Sequence, residues 1–385
     1  MPDWIEHALE EIRSRSEWRS IESWSAPGPY LEREGRRFLN LASNDYLGLS
    51  AHPSVREAAA RAAREVAPGS TASRLLAGST DLHIRFEGLL AQWRGHPAAL
   101  TFSSGYLAAL GVIPILAEHG DLILADRLSH ACLLDAVRLS GARFFRFRHN
   151  DLHDLVRRLE RRRDYRRCLI VTESVFSMDG DSPPLPQLLE VARQYEAILL
   201  VDEAHALGVL GPRGAGLTAD EPASGSFLIS MGTMGKSLGA AGGFVTCSTN
   251  MRDLLVNRAR TFIFDTAPPP PVIAAAEASV RLIQANPHWP AELCRKATSL
   301  RERLANAGIS VGSATSHILP VFVGDNEKAL RIAAFLKEEG ILAPAIRPPT
   351  VPAGTARLRL SVSLAHDDRD LERAAQCIVH AFEQC

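Results

Sequence analysis

Short apolar runs alternate with helical patterns through the middle of the chain, and this alternation constrains the fold more than any other feature. The predicted strands are AALTF, DLILAD, RFFRF, CLIVTES, AILLVD, FLISMG and GFVTCS. Between the first five lie the predicted helices SGYLAALGVIPILAEHG, SHACLLDAVRLSG, NDLHDLVRRLERR and LPQLLEVARQYE. Nearly continuous apolar strands that alternate with helices are typical of a mainly parallel sheet with helices on both faces. We therefore expect an α/β fold.

A run of prolines marks the expected domain boundary. Residues 1–45 are predicted to form an N-terminal arm that begins with an amphipathic helix, and the α/β region is predicted over residues 46–267. Four prolines follow Ala267 and cannot continue a helix or a central strand, so we place the boundary there. Beyond it, an alanine-rich helix, the strands HILPVFVGD, ILAPAI and ARLRLSVS, the helix NEKALRIAAFLKEEG and a terminal helix near His366 predict a smaller α+β domain over residues 268–385.

Composition excludes several classes of protein. A chain of 385 residues with 46% apolar residues is long enough to bury two cores. Its formal net charge of −1 argues against a protein that mainly binds nucleic acid or anionic membrane. No apolar stretch reaches membrane-spanning length, and the N-terminus lacks a signal-peptide pattern. Six cysteines without CxxC or metal-ligand spacing favour a cytoplasmic protein with no bound metal.

Only four of the 43 basic residues are lysines. Lys296, Lys328 and Lys337 lie in charged or amphipathic helical stretches and are predicted to be solvated surface residues. Lys236 instead follows an apolar strand, inside the glycine-rich turn MGTMGKSLG. An amine at a strand end in such a turn is a candidate to form a Schiff base, which a permanently charged arginine cannot do. A phosphate-binding lysine and an ordinary turn residue remain alternatives for Lys236.

Polar residues also follow the other predicted strands. Asp202 ends the strand AILLVD, and His205 comes three residues later. Because ligands of open α/β sheets bind at the carboxyl ends of the strands, Asp202 is a candidate partner for a protonated pyridine nitrogen, although it could instead cap a turn. Hydroxyls and Gly105 at a predicted helix start are suited to bind a phosphate. His130 comes after the strand DLILAD. It is a candidate site residue, although it could instead be a capping or core residue.

The order of these segments resembles a known family. SGY, SHA, ESVFSMDGD, VDEAH and GTMGKSLG occur in the order found in the α-oxoamine synthases, pyridoxal-phosphate enzymes of the aspartate-aminotransferase fold (fold type I). The segment LASNDYLGLS is similar to their N-terminal signature, and the resemblance covers nearly the whole chain. It implies a large domain that binds pyridoxal 5'-phosphate, a smaller C-terminal domain, and a homodimer with its site at the subunit interface.

The resemblance also implies roles for individual residues. Lys236 would hold the cofactor covalently and later remove the Cα proton of the bound amino acid, while Asp202 would pair with the ring nitrogen. His130 would stack on the ring and contact the substrate. The other implied cofactor ligands are His205 and Ser177 at the ring's phenolic oxygen, and the Gly105 and Tyr106 amides with the Thr233 hydroxyl at the phosphate. The implied substrate ligands are Arg359 and Asn44 for the amino-acid carboxylate, and Arg19 and Thr350 at the acyl entrance.

The run AIRPPTVPAGTARLRL resembles the biotin-pathway member of this family. That resemblance implies a decarboxylating condensation of L-alanine with a pimeloyl thioester of coenzyme A (pimeloyl-CoA) or of acyl carrier protein (pimeloyl-ACP). Two alternatives stay open: another α-oxoamine synthase that uses glycine with an acetyl or succinyl donor, and a pyridoxal-phosphate-binding module without catalysis.

Two further features lie outside these motifs. A basic cluster, defined as Arg157, Arg158, Arg161, Arg162, Arg163, Arg166 and Arg167, is interpreted as a solvated helix face, with docking of acyl carrier protein or of coenzyme A phosphates as the alternative. The family usually shows an aromatic residue and then two hydroxyl residues where this chain has Phe264-Asp265-Thr266. We therefore expect Asp265 to point away from any phosphate and Thr266 to keep the contact.

Overall fold

The structure of the chain is a computed structural model that describes residues 3–25, 28–161, 165–221 and 227–385. In chain order its helices are α1 (Asp3–Ser14), α2 (Pro53–Glu65), α3 (Asp81–Arg94), α4 (Gly105–Leu116), α5 (Ala131–Leu139), α6 (Leu152–Glu160), α7 (Leu185–Gln194), α8 (Thr249–Arg258), α9 (Arg260–Ile263), α10 (Pro270–Ala285), α11 (Trp289–Asn306), α12 (Asn326–Glu338) and α13 (Asp368–Gln384). Its strands are β1 (Tyr30–Arg33), β2 (Arg36–Asn40), β3 (Ala98–Phe102), β4 (Leu122–Asp126), β5 (Arg143–Phe147), β6 (Cys168–Glu173), β7 (Ile198–Asp202), β8 (Leu228–Thr233), β9 (Gly243–Cys247), β10 (Ile318–Gly324), β11 (Ile341–Leu342), β12 (Ala345–Ile346) and β13 (Ala356–Ser361).

The chain divides into two compact units. The larger unit comprises the described parts of Asp45–Ser177 and Asp181–Glu292. The smaller unit comprises Met178–Gly180, Leu293–Cys385 and the described residues up to Asn44.

The larger unit is built on a seven-stranded sheet of order β3-β9-β8-β7-β6-β4-β5. Strand β9 runs antiparallel to β3 and β8, and the other neighbours are parallel. Every residue of β3, β4, β6 and β9 is buried, as expected for strands covered on both faces. The predicted α/β fold with a mainly parallel sheet is confirmed. Its topology places the carboxyl ends of β3, β4, β6, β7 and β8 along one edge.

Alternate residues of the strands contribute to two separate hydrophobic cores. Ile123 of β4 belongs to the core that includes residues of α4 and α5. Its neighbour Leu124 belongs to the core that includes residues of α6 and α7. This period of two holds the sheet between two helical layers and fixes which strand residues reach its edge.

Helix α10 lies in the larger unit, beyond the boundary predicted at the prolines. Its buried Ala275 and Ala276 give it a small-residue surface, and it contacts α2 and α3. Glu277 of α10 also forms an ion pair of 3.0 Å with Arg85 of α3. The proline run starts a helix here without ending the unit, because this helix buries its apolar face against the preceding domain.

The smaller unit contains two three-stranded sheets, of order β1-β2-β11 and β10-β13-β12. The segment ILAPAI does not form the single strand that was predicted. It forms β11, which pairs with β2, and β12, which pairs with β13. Pro344 lies between these two strands, and a proline cannot donate a hydrogen bond to a continuous ladder.

Lys296 is not the solvated surface residue that was predicted. It is 8% exposed, and its Nζ donates to the carbonyl oxygen of Leu364 at 3.0 Å and to that of His366 at 2.5 Å. Lys328 and Lys337 are half-buried. Among the described residues, none of the helices is both long enough and apolar enough to cross a membrane.

Candidate active site

A cavity of about 180 Å³ lies at the carboxyl edge of the larger sheet. It is formed where β6, β7 and β8 end, since Glu173 pairs in register with Asp202, and Asp202 with Met231. The lining residues are Gly105, Tyr106, His130, Cys132, Glu173, Asp202, Ala204, His205, Met231, Gly232, Thr233 and Lys236. The structure thus brings together the predicted cofactor residues of the larger unit, apart from Ser177.

Lys236 lies in the turn after β8, which a hydrogen bond from Gly239 N to Lys236 O closes at 2.8 Å. Its Nζ is 2.8 Å from Nε2 of His205. Nδ1 of the same imidazole is 2.6 Å from the hydroxyl of Tyr46. The His205 ring therefore bridges a buried phenol and the amine that the sequence selects.

Asp202 is 6% exposed and is one of the residues that line the cavity. Its Oδ1 accepts the backbone N–H of Ala204 at 2.9 Å. Burial raises the pKa of Asp202, and the charge of Lys236 opposes that rise. A buried carboxylate of this kind favours a cationic or N–H-bearing ligand, because such a partner offsets its desolvation.

The backbone that follows Asp202 is held by a buried ion pair. Nη2 of Arg94 is 3.2 Å from Oε1 of Glu203, and both side chains are shielded from solvent. Glu203 also accepts the backbone N–H groups of Leu217 and Thr218, each at 2.6 Å. These hydrogen bonds surround the Glu203 carboxylate with donors and fix the strand end that carries Asp202.

His130 is the residue before α5, and hydrogen bonds to its backbone and to its ring orient it. Its N–H donates to Oε1 of Glu173 at 2.6 Å, and its Nδ1 accepts the N–H of Cys132 at 3.2 Å. The Cys132 sulfur is also 3.0 Å from Nδ1, and burial raises the pKa of this thiol, so it is protonated and able to donate. Desolvation lowers the pKa of His130, which favours a neutral ring with its proton on Nε2.

Burial, reinforced by the nearby charge of Asp202, raises the pKa of Glu173 well above its usual range. Glu173 is 2% exposed and lies next to Asp202 in the sheet. Two carboxyl groups on neighbouring strands of a buried site disfavour two negative charges, in agreement with the raised pKa of Glu173.

Helix α4 begins beside the end of β8. Its N-cap, Ser104, accepts the N–H of Leu107 at 3.0 Å. A Cβ on Gly243 would lie 2.5 Å from the nitrogen of Gly105, so only a glycine there lets the start of the helix reach β9. The Thr233 hydroxyl donates to the carbonyl of Gly242 at 2.9 Å, and this proton would have to turn away to reach a phosphate.

Ser177 lies in the loop after β6, and the adjoining part of this loop is held by His149. Nδ1 of His149 is 2.9 Å from Asp126, and its Nε2 is 2.9 Å from Asp181. Burial opposes the charge, but the two carboxylates outweigh it and raise the pKa of His149 to about 9. The imidazolium thus ties the loop to the end of β4.

Of the predicted substrate residues, His130 lies in the larger unit, and Arg19, Asn44, Thr350 and Arg359 belong to the smaller one. Arg359 is 5% exposed on β13, where its Nη1 donates to the Ser361 hydroxyl at 2.9 Å. Asn44 is half-buried. The structure brings Arg19 to the segment that carries Thr350, because its Nη2 donates to the carbonyl of Pro348 at 3.3 Å.

The basic cluster is largely paired with acids of its own unit. Arg157 and Arg158 pair with Asp154, while Arg166 and Arg167 pair with Asp121 and Glu118. These ion pairs support the interpretation as a solvated surface. Arg162 and Arg163 lie outside the described residues.

Asp265, where the chain differs from the family pattern, turns its side chain towards the protein. Its Oδ2 is enclosed, without a hydrogen-bond partner in the described part of the chain, whereas Phe264 and Thr266 are exposed. Thr266 accepts a hydrogen bond from the Ser103 hydroxyl through its carbonyl oxygen, at 3.0 Å.

Glu173 and Cys132, which line the cavity, and Tyr46, which contacts His205, were given no individual role from the sequence. Glu173 ends a predicted strand, so the rule that drew attention to Asp202 applies to it as well, although that rule does not say what the acid does. Tyr46 offers no local signal, since its partner His205 lies 159 residues away.

Comparisons with known proteins agree with this architecture. Residues 36–378 match the family described as aminotransferase class I and II. An 8-amino-7-oxononanoate synthase from Geobacter sulfurreducens is 45% identical over 95% of this chain and 94% of its own length.

Two solved structures are similar across most of the chain. One is a serine palmitoyltransferase from S. paucimobilis with a bound PLP–myriocin aldimine (TM-score 0.92, 30% identity, 99% of this chain and 97% of that one). The other is an 8-amino-7-oxononanoate synthase from Francisella tularensis (TM-score 0.77, 28% identity, 90% and 98%). The chain belongs to the class I and II aminotransferase family of pyridoxal-phosphate-dependent fold-type I transferases, and within it to the group that includes the 8-amino-7-oxononanoate synthases.

Proposed function

We propose that this chain condenses L-alanine with a pimeloyl thioester to give 8-amino-7-oxononanoate and carbon dioxide. The observation that carries the chemistry is the amine of Lys236 in contact with His205, at a cavity that also presents the buried carboxylate of Asp202. The product is supported by the name 8-amino-7-oxononanoate synthase, which the Geobacter protein shares with other relatives of similar identity to this chain.

The donor set of the cavity fits pyridoxal 5'-phosphate. Lys236 offers an amine, Asp202 a buried acceptor for a ring N–H, and the start of α4 offers free backbone N–H groups to a phosphate. When bound, the cofactor supplies a protonated ring that withdraws electrons from the carbon next to the substrate nitrogen. Gly105 and Tyr106 would hold its phosphate, with Thr233 once its hydroxyl has turned. His205 and Ser177 would bind the ring oxygen, and His130 would cover one face.

Proton transfer is assigned to the amine of Lys236. A general base must lie within hydrogen-bond reach of the proton that it removes, and Lys236 borders the cavity with His205 next to its Nζ. Asp202 keeps the ring nitrogen protonated by balancing its charge. A neutral His130, held by Glu173 and Cys132, donates through Nε2 towards the substrate.

The substrate residues are proposed from the family resemblance. Arg359 and Asn44 bind the carboxylate of alanine, while Arg19 and Thr350 contact the acyl group. Arg347 supports this arrangement, because its guanidinium binds the carbonyl oxygens of Ser16 and Trp18, just before Arg19. We further propose a cytoplasmic homodimer.

A matrix of substrates tests the proposal. Purified enzyme with its cofactor is assayed with alanine, glycine or serine against pimeloyl-CoA, pimeloyl-ACP, acetyl-CoA and palmitoyl-CoA, and the products are identified by mass spectrometry. We expect 8-amino-7-oxononanoate from alanine with a pimeloyl donor. Preferred turnover of glycine with acetyl-CoA, or of serine with palmitoyl-CoA, would assign the chain to another condensing activity.

The same assay tests docking of the carrier protein. Arg161→Glu reverses a charge of the basic cluster at the end of α6. If the cluster docks the carrier protein, KM for pimeloyl-ACP rises while KM for pimeloyl-CoA does not. Equal KM values for the variant and the wild type with both donors would leave the cluster as solvated surface.

A further inference from the structure

Tyr46, His205 and Lys236 form a continuous hydrogen-bonded chain. The Tyr46 hydroxyl is 2.6 Å from Nδ1 of His205, and Nε2 of the same ring is 2.8 Å from Nζ of Lys236. Tyr46 is fully buried and His205 is 4% exposed, so bulk water does not replace these contacts. The phenol lies on the far side of the imidazole from the amine.

The protonation state of Lys236 determines which nitrogen of His205 carries the proton. A lysine ammonium only donates, so beside it Nε2 is an acceptor and the proton of a neutral ring is on Nδ1. In that state the Nδ1–H group donates to the oxygen of Tyr46. When the amine has lost its charge, Nε2 can carry the proton, and Nδ1 must then accept one.

A tyrosine hydroxyl is suited to both states, because it is a donor and an acceptor and its hydrogen can rotate. It accepts from Nδ1–H in the first state and donates to bare Nδ1 in the second. A phenylalanine of the same shape would leave Nδ1 without this partner in a buried site, which is unfavourable.

We propose that Tyr46 is a further positioning residue of the site, whose hydroxyl holds the His205 ring in either neutral tautomer and lets its proton move from Nδ1 to Nε2 when Lys236 is no longer an ammonium. The inference deepens the proposed function and rests on it for the role of His205, because only the Nε2–H tautomer can donate to an oxygen of the cofactor.

The test compares Tyr46→Phe with Tyr30→Phe. Tyr30 is a control because its hydroxyl also donates to a side chain, that of Asp370, but in the smaller unit. Histidine labelled with ¹⁵N reports the tautomer by NMR, with His205→Gln to assign the signals. In wild-type protein without cofactor at neutral pH, we expect the proton on Nδ1, and saturation with pyridoxal 5'-phosphate should move it to Nε2.

In Tyr46→Phe, we expect the His205 nitrogen shifts to change in both states. The dissociation constant for pyridoxal 5'-phosphate should rise about fivefold, which corresponds to one hydrogen bond of ~1 kcal/mol. Tyr30→Phe should leave both readouts at their wild-type values. His205 nitrogen shifts in Tyr46→Phe that match those of wild type would overturn the proposal, as would an equal loss of cofactor affinity in both variants.

These outcomes are separable from the substrate assay. A wild-type chain whose His205 proton moves on cofactor binding, but which forms no 8-amino-7-oxononanoate, would contradict the proposed function and leave the role of Tyr46 supported.

Discussion

Nζ of Lys236 lies 2.8 Å from Nε2 of His205, although the two residues follow different strands and are 31 positions apart in the chain. The contact exists because β7 and β8 are parallel neighbours whose carboxyl ends meet at one edge. This contact distinguishes Lys236 from the other three lysines, because Lys296 has a structural role and Lys328 and Lys337 lie on α12.

Asp202→Asn replaces the buried carboxylate with an amide of nearly the same size. We expect kcat/KM to fall on the order of 100-fold, a loss typical of removing one preorganised electrostatic partner. Cofactor affinity should fall as well, because an amide cannot balance a ring cation. Asp220→Asn, at an exposed acid of the same unit, is the control for charge. Wild-type turnover in Asp202→Asn would refute the assigned role.

Glu173→Gln and Glu173→Ala separate the ionisation of this buried acid from its hydrogen bond with the His130 N–H. The glutamine variant keeps an acceptor for the His130 N–H, so its free energy of unfolding at pH 8 should equal or exceed that of wild type. Wild type loses stability as pH rises above the ordinary glutamate pKa, since the raised folded-state pKa keeps Glu173 protonated while the unfolded chain ionises. Glu173→Ala should cost ~1–3 kcal/mol in urea titrations, because the His130 N–H is left unpaired. The assignment fails if glutamine destabilises as much as alanine.

His149→Gln removes the imidazolium between Asp126 and Asp181. Because the folded-state pKa of about 9 exceeds the unfolded value near 6.5, the stabilisation is complete below pH 6.5 and is lost as pH rises through 9. The difference in unfolding free energy between wild type and variant should therefore shrink by up to ~3 kcal/mol from pH 6 to pH 10. His153→Gln, at an exposed histidine of α6, is the matched control for the substitution. A difference independent of pH would mean that the ring is neutral.

Lys296→Met tests the buried lysine of the smaller unit. The variant leaves the carbonyl oxygens of Leu364 and His366 without this donor, so the free energy of unfolding should fall by ~1–3 kcal/mol. Lys328→Met, at a half-buried lysine on α12, should cost less. Turnover per folded molecule should not change in either variant. If Lys296→Met had the same free energy of unfolding as the wild type, the assignment of Lys296 as a buried structural residue would be wrong.

The sequence predicts the larger sheet well because its signals are local. Apolar runs of five or six residues identify buried strands, and the rule for parallel sheets then places Asp202, Thr233 and Lys236 at one edge. The break in ILAPAI also has a local cause, since Pro344 cannot donate to a ladder.

Contacts between distant segments escape such reasoning. Lys296 looks like a surface residue because its carbonyl partners lie 68 and 70 positions away. His149 is bound to acids 23 and 32 positions away, and Tyr46 reaches His205 across 159 positions. The face buried by α10 likewise depends on helices that precede it by more than 170 residues.

The attachment of the cofactor to Lys236 is the central claim and can be measured directly. The enzyme loaded with pyridoxal 5'-phosphate is treated with borohydride, which fixes a lysine-bound pyridoxal group irreversibly, and is then digested for mass spectrometry. We predict the pyridoxyl mass on Lys236, with none on Lys296, Lys328 or Lys337. Labelling of another lysine, or no label in an enzyme that turns over, would contradict the account.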